Sequence, residues 1–107
     1  MNRMKKYYNK LVRDKIPEII EAAGKRAEIR IADDSEYANL LRQKLLEEVD
    51  EYMQSTNPDE LADIIEVIIS LGALHNLSVD ALMQIAAGKR EKRGGFEKGI
   101  VLLSVDE

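Results

Sequence analysis

Five acids within seventeen residues hold the chain's clearest chemical potential: Glu47-Glu48-x-x-Glu51 and, past a short turn, Glu60-x-x-Asp63. Glu48 and Glu51, like Glu60 and Asp63, are three apart, which puts each pair on one side of a helix about one turn from each other. Ser55-Thr56-Asn57-Pro58 reads as the turn of an antiparallel helix pair. In such a hairpin, residues whose numbers share one total lie at equal height. Glu51 with Glu60, and Glu48 with Asp63, share one. Four carboxylates are therefore expected to converge near the turn, with Glu47 beside them.

That convergence is costly. On a helical wheel Glu60 and Asp63 share a sector with Ile64, Val67, Leu71 and Leu74, while Glu48 follows Leu41 and Leu45 along the apolar side of its own helix. Two unit charges ~5 Å apart repel by roughly 3 kcal/mol at an effective dielectric of about 20. Shared protons or a bound cation must offset this. An all-oxygen carboxylate site suits Mg²⁺ or Mn²⁺ rather than zinc or copper. Plainer readings exist for single acids. Glu60 falls at N3 behind Asn57 and Pro58, so it could close a capping box, and Glu47 and Asp50 could be solvated surface charges. Neither reading accounts for four acids at matched heights.

The elements that would position these acids are helical. A charged lead-in, residues 7–15, precedes a helix begun by Pro17 with Ile16, Ile19, Ile20 and Ala23 as its apolar stripe and Gly24 as its stop. Residues 27–32 alternate, and an extended link or edge strand is expected there. Asp33 or Asp34 caps a second helix running to about Gln54, burying Leu41, Leu45, Val49 and Tyr52. The third helix, from Pro58 to about His75, is apolar around most of its circumference. A chain of 107 residues would struggle to cover it completely, so association with further copies, as a dimer or tetramer, is expected to bury part of it; the competing account is the central helix of a monomeric bundle. His75 reads as a helix-terminal residue. Ser78 caps a fourth helix that ends in Lys89-Arg90-Glu91-Lys92-Arg93, with Lys89, Lys92 and Arg93 on one face, and Gly99 to Leu103 reads as a strand or packed tail.

Composition narrows the function classes. At 45% apolar and 34% charged, the chain suits one all-α domain spanning 1–107, a helical bundle built round the antiparallel hairpin. A net charge of −4 offers no basic surface for nucleic acid. The absence of Cys excludes a disulfide framework and thiol nucleophile. No stretch reaches the length and apolarity of a membrane span, and the basic start lacks the apolar run of a signal peptide, so the expected address is cytoplasmic. An acidic metal site together with a compact cationic patch suits a polyphosphate substrate, because metal and cations share the negative oxygens.

The acid pattern resembles the metal-binding signature of the all-α nucleoside triphosphate pyrophosphohydrolases, the MazG-like superfamily. The opening Tyr8-Asn9-Lys10-Leu11-Val12-Arg13-Asp14-Lys15-Ile16-Pro17 and the later Lys92-Arg93-Gly94-Gly95-Phe96 look like its phosphoribosyl-ATP pyrophosphohydrolase-like small-protein branch. The resemblance implies Mg²⁺-dependent cleavage between α- and β-phosphates, giving a nucleoside monophosphate and pyrophosphate. It assigns Glu48, Glu51, Glu60 and Asp63 as metal ligands and Glu47 as the acid that holds or activates water, so Glu47 and Glu48 are the catalytic candidates. It assigns Lys89, Lys92 and Arg93, with Arg13 and Lys15, to the phosphates. The spacing departs from the pattern: eight residues separate the acid motifs, where MazG proteins proper have a longer insert. Three functions stay open: house-cleaning of non-standard nucleoside triphosphates, hydrolysis of phosphoribosyl-ATP in histidine biosynthesis, and a helical association module without turnover.

Overall fold

The computed structural model describes residues 4–106, and the regular elements among them are all helices. The helices are α1 (Ile16–Ala22), α2 (Asp34–Ser55), α3 (Pro58–Leu74) and α4 (Val79–Arg93). Local chemistry sets their ends. Pro17 supplies a pre-set φ in the first turn of α1, and Gly24 takes φ 82° just past its end. Asp33 caps α2 by accepting from the Glu36 N–H at 2.8 Å, and Ser78 caps α4 by accepting from the Ala81 N–H at 3.1 Å. Each such cap satisfies an N–H that the helix itself leaves unpaired.

Between α2 and α3 only Thr56 and Asn57 are non-helical. Thr56 reverses the chain at φ 52° while donating its N–H to the Tyr52 carbonyl, and Asn57 then caps α3 through the Asp59 N–H at 3.0 Å. So short a link folds α3 back along α2, and this pair makes the most extensive packing in the molecule. Leu41 of α2 and Val67 of α3 are its buried apolar centre. Helix α4 leaves α3 at 101°, touching it chiefly near their junction, where buried Gly72 lets the Leu82 side chain approach.

The chain is extended. Its radius of gyration is 19.0 Å over extents of 69 × 31 × 26 Å, against about 13 Å for a compact domain of this length. Apolar side chains expected inside therefore lie open: Val49, Ile19, Leu74 and Ile85 are all exposed. Of the two expected extended segments, the first is a link and not an edge strand, and the second is neither of the forms expected. Residues 27–32 form no strand, because among the described residues no neighbouring strand offers hydrogen bonds; Ile29 and Ile31 face solvent, and Arg30 grips Glu36 at 2.5 and 2.7 Å instead. The tail from Ile100 to Leu103 is neither a strand nor packed on this chain. Among the described residues no single helix is long and apolar enough to cross a membrane.

Candidate metal centre

Glu48 sits where the two arms of the hairpin meet. It belongs to two carboxylate groups at once, one with Glu47 and Glu51 on its own helix and one with Glu60 and Asp63 from α3. Within each group every residue offers an oxygen within 4.8 Å of the others. The five acids thus form two triads sharing a vertex rather than one ring of four. Glu51 is the exposed member, Glu47, Glu60 and Asp63 are half-buried, and Glu48 is only 7% exposed. The arrangement follows from the three-residue spacing on each helix and from the tight turn that fixes their heights.

The capping explanation for Glu60 does not describe this turn. Asn57 accepts from the Asp59 N–H, and its own N–H goes to Ser55 Oγ at 3.1 Å rather than to the Glu60 carboxylate. The Glu60 side chain is left for the acid group. Asp50 is exposed and bonded to Gln54, and His75 is an exposed helix-terminal residue with no part in the cluster.

Side-chain cations already meet several of these acids. Lys44 reaches Glu47 at 3.5 Å and Glu48 at 3.3 Å, its three- and four-residue spacings placing it one turn before them. Lys10 reaches Glu47 at 3.0 Å, and Arg13 reaches Asp63 at 2.8 Å. Hydrogen bonding to Lys10 holds the Glu47 carboxyl below the usual carboxylate range. Burial pushes the Glu48 carboxyl the other way, upward; Lys44 opposes the rise and Glu51 adds to it. Glu48 Oε2 has no hydrogen-bond partner although it is fully withdrawn from solvent. A buried carboxylate oxygen is seldom left so, since the lost solvation costs about 1–3 kcal/mol or more.

Comparison with protein-family models, curated proteins and solved structures gives no match to this chain. The site's donors are all carboxylate oxygens, they come from two rigid helices, and the innermost one lacks a partner; this set fits a hard divalent cation.

The cations expected to bind phosphate separate into two sets. Arg13 and Lys15 line a cleft of about 390 Å³ whose floor includes Glu48 and Asp63. Lys89, Lys92 and Arg93 make no ion pair with the acids. They ride on α4, and Lys89 edges a separate apolar groove between α3 and α4. Sequence reasoning passed over Lys44 and Lys10. Lys44 was legible as an i,i+4 partner of Glu48, whereas nothing in the pattern around Lys10 announced a contact thirty-seven residues away.

Proposed function

We propose that this chain is a Mg²⁺-dependent nucleotide pyrophosphohydrolase of the MazG-like type, converting a nucleoside triphosphate and water into a nucleoside monophosphate and pyrophosphate. The observation that carries the reading is the unpartnered, buried Glu48 oxygen at the junction of two acid triads drawn from both arms of the hairpin. Glu48, Glu51, Glu60 and Asp63 would hold Mg²⁺, with Mn²⁺ as a substitute. Bound there, the ion supplies charge neutralisation for the phosphates and acidifies water. Glu47 is kept ionised by Lys10 and Lys44, both of which bond its Oε1, so Oε2 is the atom that accepts the proton from the attacking water. Arg13 and Lys15 stand at the rim of the adjoining cleft, where they meet the departing pyrophosphate.

Lys89, Lys92 and Arg93 point to assembly. Helix α4 diverges from the acids of its own chain, and its groove with α3 is walled by Ile65, Ile69, Leu82 and Met83. A second copy seated on that apolar face would account for the extended shape and bring the cationic end of α4 to a partner's acids. The decisive experiment measures pyrophosphate release, with and without Mg²⁺, across a panel of triphosphates and phosphoribosyl-ATP. Turnover abolished by Glu51→Gln, with helix content unchanged, is the expected result. No pyrophosphate from any panel member would leave the association module as the better account. A strong preference for phosphoribosyl-ATP would move the substrate to histidine biosynthesis.

A further inference from the structure

The segment before α1 crosses the mouth of the acid site. Lys10 and Arg13, three residues apart, reach acids on different arms: Glu47 of α2 at 3.0 Å and Asp63 of α3 at 2.8 Å. Both cationic side chains keep about half of their surface in solvent, 42% and 56%. The Ile16 N–H bonds the Arg13 carbonyl at 3.0 Å, which joins the Arg13 end of the segment to the start of α1. Leu11 to Lys15 form one wall of the cleft that exposes Glu48 and Asp63.

We infer that Lys10 and Arg13 are exchangeable counter-ions: they neutralise Glu47 and Asp63 while the site is free, and pass to the phosphate oxygens when a metal–polyphosphate ligand binds. The inference rests on the proposed metal centre. Its physical basis is the contrast with Lys44. That lysine is mostly buried and built into α2 one turn from its partners, so it is a permanent part of the site. Lys10 and Arg13 come from outside the hairpin and make exposed pairs, which shift an equilibrium by no more than about fivefold each. A divalent ion outbids a single ammonium for a carboxylate cluster, and a polyphosphate then offers the released cations a denser negative charge. Asp63 trades a monovalent partner for a divalent one, Glu47 keeps Lys44 as its partner, and each cation trades carboxylate for phosphate. Lys10 and Arg13 are thus positioning residues for the phosphate chain, with opposite effects on metal binding and on polyphosphate binding.

That opposition is the test. Mn²⁺ alone is titrated into wild type, Lys10→Met and Arg13→Met, followed by inorganic tripolyphosphate at saturating Mn²⁺. Expected is Mn²⁺ affinity about two- to fivefold tighter in each variant, with tripolyphosphate affinity at least tenfold weaker. Weakening of both, or unchanged Mn²⁺ affinity, overturns the exchange. Wild type that binds no Mn²⁺ removes the metal centre itself, which separates the two failures. Should a variant not fold, trypsin cleavage after Lys10 and Arg13 of wild type reports the same event. Mn²⁺ alone should speed it and added tripolyphosphate should slow it; an indifferent rate refutes the exchange.

Discussion

Replacing Glu48 by Gln removes the charge at the shared vertex and keeps the side chain's shape. At 4.8 Å, the outer limit of the oxygen separations in both triads, two full charges repel by about 3.5 kcal/mol at an effective dielectric of about 20. Lys44 at 3.3 Å returns about 5 kcal/mol on the same scale. Glu48 faces Glu47, Glu51, Glu60 and Asp63 against that single direct counter-charge, so in metal-free protein its ionised form is repelled on balance. Proton sharing and small side-chain shifts absorb most of the Coulomb figure. We expect about 1 kcal/mol of net stabilisation for Glu48→Gln in EDTA, or about 4–8 °C in Tm for a domain of this size.

Adding Mg²⁺ should reverse the order. A ligand at a hundred times its Kd stabilises the folded state by about 2.7 kcal/mol. Wild type gains that increment, and Glu48→Gln, lacking the ligand common to both triads, gains none. Differential scanning calorimetry of both proteins, in EDTA and in Mg²⁺, reads all four states. A variant that melts below wild type in EDTA yet keeps the full Mg²⁺ shift refutes the assignment of Glu48 as a strained, metal-seeking carboxylate.

Three further outcomes follow from the geometry. Asn57→Ala deletes the α3 cap and should cost about 1 kcal/mol of stability, measurable by urea unfolding; no loss would show that the Asp59 N–H finds another partner. Met83→Asp places a charge in the apolar α3–α4 groove and should lower the mass found by light scattering, whereas an unchanged mass would put any interface elsewhere. Glu36 is held below the ordinary carboxylate range by Arg30, so the pair's contribution is present above the unfolded carboxyl's pKa and lost as pH falls through the folded one. A ¹³C titration of the Glu36 carboxyl should show that depressed midpoint, and Arg30→Ala should restore an ordinary one.

Helix boundaries were legible because they are written in nearest-neighbour chemistry. Asp33, Asn57 and Ser78 each accept from an N–H two or three residues on, and Pro17, Pro58 and Gly24 act through their own φ. The acid convergence was legible for a related reason: a two-residue link leaves little freedom in how α2 and α3 align. Burial was not legible in the same way. Alternation at residues 27–32 left an extended link and an edge strand both open, and it could not choose between them, because a strand exists only if another lies beside it and periodicity carries no knowledge of neighbours. Val49 and Ile19 show the same limit, since an apolar stripe names the face that seeks cover without naming the cover. Lys10 and Arg13 reach partners thirty-seven and fifty residues away, beyond any local pattern.

Site and assembly are linked through what this fold lacks. A hairpin whose buried apolar centre is Leu41 and Val67 has little hydrophobic stabilisation with which to hold a buried carboxylate that lacks a hydrogen-bond partner. The missing stabilisation has two available sources. A divalent ion would relieve the repulsion at the turn end of α2 and α3, and a second copy would cover the apolar surface that begins at Ile65 and continues along α4. Both act on α3, whose first turns carry Glu60 and Asp63 and whose middle turns carry Ile65, Ile68 and Ile69. On the proposed reading, anything that stiffens α3 through its apolar face also fixes the carboxylates one turn away. Metal affinity and subunit association should therefore strengthen each other, as two ligands of the same folded helix do.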